Sequence, residues 1–187
     1  MGGRVVYGLV NNLLKDTIRL QYGEPAWQRI AARLPFDAGF FASMQPYPDE
    51  WSYALVQTAC EETGKGPAEL LRIVGHRWVS ENSAGEYKEL FALNGPDLET
   101  FLGNLNSMHA ALGNQMPGLR PPSFTVHRDS PNALRVRYYS TRAGLAPLVV
   151  GLLEGLSDYF HEPAQVSQTA SRDLGAEHDE FRLEFHD

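Results

Sequence analysis

Apolar residues recur every three or four positions over the first two thirds of the chain, which is the spacing of helices with one buried face. Glycine and proline interrupt this pattern several times and divide it into separate helices. Asp49 is predicted to be the N-cap of the third helix, after a turn at Pro46 to Pro48. The predicted helices run from about Val6 to Tyr22, around Trp27 to Leu34, from Asp49 through Ala59, along Leu70 to Trp78, around Tyr87 to Phe91, and from Pro96 through Leu112.

The pattern changes after Met116-Pro117-Gly118, where short apolar runs separated by turn residues replace the helical spacing. Helices followed by strands and one packed helix indicate an α+β fold. We expect a helical part of about residues 1–65 and a sheet-bearing part of about residues 66–187. The sheet-bearing part is predicted to hold a hairpin, a helix and two further strands, at Ser123 to Arg128, Leu134 to Tyr139, Leu145 to Phe160, Ala164 to Ser171 and Glu180 to Phe185.

Composition narrows the partners that the chain can have. The net charge is -7 and no block of lysine or arginine is present, so nucleic acids and anionic membrane surfaces are not expected partners. No apolar run approaches the ~20 residues that cross a bilayer. The single cysteine, Cys60, fits a reducing compartment, and we expect a cytoplasmic protein.

One histidine has an unusual position. None of the usual nucleophile, phosphate-loop or zinc-protease motifs occurs, and the 6 histidines show no metal-ligand spacing. His109, however, lies on the apolar stripe of the sixth predicted helix, beside Leu105 and Met108. It is either a core histidine with a hydrogen-bonded ring or the single axial ligand of a haem iron.

A second candidate group is Tyr138-x-Ser140-x-Arg142. On an extended segment these three side chains point the same way. A phenol, a hydroxyl and a guanidinium together suit one anionic group, since arginine donates two parallel bonds to a carboxylate. The alternative is a solvated strand end.

The two groups together resemble the haem–nitric oxide/oxygen binding (H-NOX) family, which includes the haem domain of soluble guanylate cyclase. That family carries a histidine on a long helix and, about thirty residues later, a Tyr-x-Ser-x-Arg signature. The likeness is closest to the stand-alone proteins of bacteria and cyanobacteria. Matching segments are Tyr7 to Asn11, Trp27, Gly75-x-x-Trp78, Asn106 to His109, Leu119 to Phe124, Tyr138 to Arg142, Gly144 to Pro147 and Gly151 to Gly155.

The resemblance implies haem b (iron protoporphyrin IX) buried between the helical part and the sheet. In this chain His109 would be the iron ligand, Tyr138, Ser140 and Arg142 would hold the haem carboxylates, and Pro122 would press on the haem. The other residues implied to contact the cofactor are Leu105, Met108, Val10, Trp78 and Leu148.

The resemblance also implies a non-enzymatic sensor of NO and CO. NO would weaken the iron–His109 bond and relax the haem, and a separate protein, a histidine kinase or a cyclic-dinucleotide enzyme, would read the change. Members that hold O2 place a tyrosine where this chain has about Leu148, so little stable O2 complex is expected; the Trp78 N–H is the one candidate donor.

Three alternatives stay open. The first is an O2-binding haem sensor that uses Trp78. The second is a peroxidase-like haem protein, which requires polar distal acid–base groups that the pattern does not place there. The third is a haem-free module that keeps the fold and binds another ligand.

Overall fold

In the computed structural model the chain forms two compact units, one up to Val74 and one from Gly75. The structure describes residues 5–85, 87–113 and 120–186. The predicted boundary at Met116-Pro117-Gly118 and Leu119 of the family pattern lie outside the described residues. Among the described residues, no helix combines the length and the apolar character that crossing a bilayer requires.

The first unit is mainly helical. The first helix begins at Gly8, and the close approach of the Ala42 carbonyl leaves no room for a Cβ at this position. The core of the unit includes Leu14, Ile18, Ile30 and Leu55. Its elements are β1 (Val5–Tyr7), α1 (Gly8–Tyr22), α2 (Glu24–Arg33), β2 (Pro46–Pro48), α3 (Asp49–Thr63) and the first part of α4 (Pro67–Ala84).

Two local predictions in this unit are wrong. Pro46 to Pro48 is not a turn but a short strand that pairs antiparallel with Val5–Tyr7. Pro48 occupies the N-cap position of α3, and Asp49 lies in the first helical turn, where its charge complements the helix dipole. The chain enters α3 from a strand that pairs with β1, and the residues of a local turn signal carry no information about such a distant partner.

The second unit packs helices on one face of an antiparallel sheet, which confirms the α+β prediction. The sheet order is β3-β4-β6-β5. The helix predicted along Leu70 to Trp78 continues to Ala84, and the other predicted elements of this unit agree with the observed ones to within three residues. The elements are the end of α4, α5 (Lys88–Asn94), α6 (Leu98–Gly113), β3 (Ser123–Ser130), β4 (Ala133–Tyr139), α7 (Ala146–Tyr159), β5 (Ala164–Ala170), a 3-10 turn (Arg172–Leu174) and β6 (Asp179–Phe185).

The core of this unit lies between the sheet and the helices α6 and α7. Alternation along the strands turns one face inward, and the opposite face carries ion pairs such as Arg135 with Asp129 and Arg137 with Glu180. Buried residues of this core include Phe101, Leu102, Leu105, Met108, Phe124, Leu134, Val136, Tyr138, Val149, Leu153, Phe181 and Leu183.

Helices α4 and α7 approach each other closely within the second unit. A Cβ on Gly75 would overlap the carbonyl of Leu148, and one on Gly155 would lie 2.9 Å from the carbonyl oxygen of His76. Glycine is therefore required at both positions for this backbone separation.

Candidate haem site

Helix α6 carries His109 on the edge of its buried stripe. Asp97 caps the helix, because its carboxylate accepts the N–H of Thr100 at 2.7 Å, and this bond lowers the pKa of Asp97. Leu105 and Met108 are buried in the core, and His109 beside them is half-buried. The helical period thus places the histidine where its ring is largely shielded from water.

The ring of His109 is held in one tautomer. Its Nδ1 lies 3.2 Å from the carbonyl oxygen of Pro122. A carbonyl only accepts, so Nδ1 carries the proton and Nε2 keeps its lone pair. Burial lowers the pKa of His109, and the Pro122 bond opposes this only in part. The result is a neutral imidazole with Nε2 available as a metal ligand.

Asn106 joins α6 to the first residues of β3. Its amide accepts the N–H of Phe124 at 2.9 Å and donates to the carbonyl of Phe124 at 2.7 Å. This pair satisfies both backbone groups of a residue in the edge strand. No such role was predicted for Asn106. The only signal was the spacing, since Asn106 lies three residues before His109 and so on a neighbouring part of the helix surface.

Phe124 also connects the two predicted groups through its ring. The centroids of the His109 and Phe124 rings are 6.1 Å apart, and those of Phe124 and Tyr138 are 5.3 Å apart. Phe124 and Tyr138 are direct partners in the β3–β4 register. His109 and Tyr138, 29 positions apart in the chain, therefore contact the same side chain.

The Tyr138-Ser140-Arg142 group is brought together by a bend and not by strand alternation. The strand ends at Tyr139, so the premise of an extended segment through Arg142 is wrong. Instead, the hydroxyl oxygen of Ser140 accepts the backbone N–H of Arg142 at 3.1 Å, a turn that serine favours. The guanidinium of Arg142 also lies 3.5 Å from the carbonyl oxygen of Arg120.

The electrostatics of this group centre on Tyr138, which is buried. Burial raises the pKa of its phenol, while a hydrogen bond with the Ser140 side chain and the positive charge of Arg142 oppose the rise. The phenol is thus neutral, beside a hydroxyl and a guanidinium. These are the donor types that bind a carboxylate.

The remaining predicted residues have different surroundings. Pro122 directly precedes β3, and its carbonyl is the partner of His109. Leu148 is half-buried on α7. Trp78 packs against Phe91 with ring centroids 5.9 Å apart, and its indole N–H has no acceptor among the described residues. Val10 is partly exposed on α1 of the first unit, and its contact with the cofactor stays a prediction.

The residues of the second unit fit a haem. Such a group requires one axial ligand and partners for two carboxylates. His109 supplies a neutral imidazole of defined tautomer, and Tyr138, Ser140 and Arg142 supply donors with one positive charge. Phe124 links the two sets, and its own backbone is fully satisfied by Asn106.

The chain is similar to known proteins over nearly all of its length. Residues 7–168 match the family model described as Haem-NO-binding. Over 183 residues, the chain is 25% identical to soluble guanylate cyclase gcy-31 of Caenorhabditis elegans, an alignment that covers 97% of this chain and 26% of that protein. Over 75 residues it is 32% identical to the human guanylate cyclase soluble subunit beta-2, covering 40% of this chain and 12% of the relative. The chain therefore spans only a minor part of these relatives.

Two solved structures share the fold. One is the Fe(II) unliganded H-NOX protein from K. algicida, with a TM-score of 0.84 at 20% identity and 97% coverage of both chains. The other is the H-NOX protein from S. oneidensis in the Fe(II)NO ligation state, with a TM-score of 0.85 at 18% identity, covering 97% of this chain and 100% of that one.

Proposed function

The chain belongs to the Haem-NO-binding family, whose domains bind haem and serve as sensors, not as catalysts, and from this premise we propose that it senses nitric oxide. We propose haem b as the cofactor, with NO and CO as its ligands. When bound, haem would supply the iron that binds a diatomic gas, and His109 would be its protein ligand. The cytoplasm is the proposed location, in keeping with the single cysteine.

The observation that carries the proposal is the hydrogen bond between His109 and Pro122. It leaves Nε2 as the ligand atom and orients the ring through Nδ1. Burial favours the neutral ring, which is the form that binds iron. The ligand state that is named for the S. oneidensis relative supports NO as the gas.

The proposed signal is release of His109. His109 would hold the haem iron through Nε2, while Nδ1 bonds the Pro122 carbonyl. Weakening of the iron–His109 bond and relaxation of the haem would remove one attachment of α6 and so would bias the equilibrium between two protein states. A separate partner, a histidine kinase or a cyclic-dinucleotide enzyme, reads this shift.

The choice of gas rests on which side chains would face the bound gas. Bound O2 gains from a hydrogen-bond donor, whereas NO and CO depend on one far less. Leu148 offers an aliphatic side chain there, as the family pattern implies. The Trp78 N–H favours the second candidate, an O2-binding sensor, because it has no other acceptor among the described residues.

Absorption spectra of the ferrous protein under argon, NO, CO and air test cofactor and gas together. We expect a five-coordinate spectrum under argon, new bands under NO and CO, and no stable complex in air. His109→Gly should retain haem only with added imidazole. The control is His127→Gly, which removes an exposed histidine of β3. Unchanged haem uptake and an unchanged NO spectrum in His109→Gly without imidazole would show the assignment to be wrong; a stable spectrum in air would favour the O2 sensor.

A further inference from the structure

The loop between β5 and β6 returns to the end of β4, where the Tyr138-Ser140-Arg142 group lies. Arg172, in the 3-10 turn of this loop, is half-buried, and its guanidinium donates to the carbonyl of Ser140. A side chain 32 positions further along the chain thus contacts the backbone of the central residue of the group.

The position of Arg172 is determined by a buried carboxylate. Asp179, which faces Tyr138 in the β4–β6 register, accepts the backbone N–H of Arg172 at 3.0 Å and the side-chain amide of Gln168 at 3.0 Å. The turn is closed by Gly175, whose N–H donates to the carbonyl of Arg172 at 3.0 Å and whose φ of 96° suits glycine. The loop is therefore bonded at both ends of the turn.

The guanidinium of Arg172 bonds a backbone carbonyl and not a carboxylate. Asp179 bonds the backbone of Arg172, and among the described residues no carboxylate forms an ion pair with its guanidinium. Burial raises the pKa of Tyr138 most; the positive charges of Arg142 and Arg172 lower it, and the negative charge of Asp179 raises it. Two guanidinium groups and one carboxylate thus act on one buried phenol.

We propose that Arg172 is a second arginine of the haem carboxylate site, and that it positions Ser140 while adding positive charge for the two carboxylates. This inference rests on the proposed function. A cofactor with two carboxylates brings two negative charges, whereas the Tyr-x-Ser-x-Arg motif alone supplies one positive charge. Arg172 is a positioning residue, since its observed bond is to the Ser140 carbonyl.

The test compares haem dissociation from Arg172→Ala, Arg172→Lys and Arg182→Ala, measured by haem transfer to an excess of apomyoglobin. Arg182 is the matched control because it is an arginine of the same sheet that pairs with Glu184. Losing a charge-assisted contact should speed haem loss from Arg172→Ala about tenfold. Arg172→Lys keeps the charge and should stay within about threefold of the unchanged protein.

Haem dimethyl ester separates a carboxylate effect from a fold effect. The ester carries no negative charge, so the unchanged protein and Arg172→Ala should lose it at the same rate. Equal tenfold acceleration with haem and with its ester would overturn the inference, because Arg172 would then act on the fold alone. Should Arg172→Ala not fold, Arg172→Gln, which also removes the charge but keeps most of the side chain, takes its place with both cofactors.

Arg142→Ala separates the inference about Arg172 from the proposed carboxylate site. If Arg142→Ala speeds haem loss and Arg172→Ala does not, the inference about Arg172 is wrong while the carboxylate site stands. If neither substitution changes the rate, the carboxylate site itself is wrong. If the unchanged protein takes up no haem, the proposed function fails.

Discussion

Replacing Asn106 by alanine should loosen the attachment of α6 to β3. The amide makes two hydrogen bonds to the backbone of Phe124, at 2.7 and 2.9 Å, and alanine makes neither. Phe124 is buried, and its ring contacts His109. The substitution therefore removes the polar link between the histidine helix and the strand while leaving the apolar packing in place.

The expected loss follows from those two bonds. Each contributes about 1 kcal/mol net, and a backbone group left without a partner in a buried site costs about 1–3 kcal/mol. Asn106 itself is exposed, so water replaces part of what is lost. We expect the free energy of unfolding to fall by about 1–2 kcal/mol, which corresponds to a decrease in Tm of about 3–6 °C for a protein of this length.

The measurement is urea unfolding of the haem-loaded protein, followed by circular dichroism, with Ser107→Ala as the control. Ser107 is an exposed neighbour on the same helix, and alanine there should be neutral or slightly stabilising. A midpoint for Asn106→Ala equal to that of Ser107→Ala would refute the reasoning, because the two bonds to Phe124 would then not hold in solution.

Two further predictions concern packing and protonation. Gly155→Ala should lower the free energy of unfolding by about 1–3 kcal/mol, because the new Cβ would lie 2.9 Å from both the His76 carbonyl oxygen and Val79. Gly103→Ala is the control: a Cβ there would have no atom within 4 Å, so it should raise the free energy of unfolding by about 0.5–1 kcal/mol. Burial raises the pKa of Tyr138, so this group contributes stability that is present below pH ~10 and lost as the pH rises above it. In urea unfolding, Tyr138→Phe should reduce the loss of stability at alkaline pH. In an NMR spectrum of 13C-labelled tyrosines it should remove the signal that titrates at the highest pH. A Tyr138 signal that titrates together with those of the exposed tyrosines would contradict this.

The helices were predictable because their buried stripes are local. Leu102, Leu105 and His109 share one face of their helix however that helix is packed, because the helical period alone determines which residues share a face. Strand pairing between distant segments has no such local signal. The β2 segment therefore suggested a turn from its prolines, although its partner is Val5–Tyr7.

The Tyr138-Ser140-Arg142 group shows the same limit at closer range. Its three side chains do lie together, but through a bend after Tyr139 that depends on the Ser140 hydroxyl. No sequence spacing could have predicted the contact of Arg172 with Ser140. It lies in a loop that follows the bulge in β5 and that is bonded by the buried carboxylate of Asp179. Pairs that tertiary structure creates leave no period in the sequence.

One residue outside both motifs joins the two halves of the candidate site. The Phe124 ring contacts the rings of both His109 and Tyr138, and Asn106 forms hydrogen bonds with the Phe124 backbone. A displacement of α6 at His109 must therefore either carry Phe124 along or break both Asn106 bonds. Because Phe124 is the register partner of Tyr138, the first outcome also displaces Tyr138. His109 and Tyr138 are thus coupled through one phenylalanine, and Asn106→Ala removes the polar part of that coupling while the ring contacts stay.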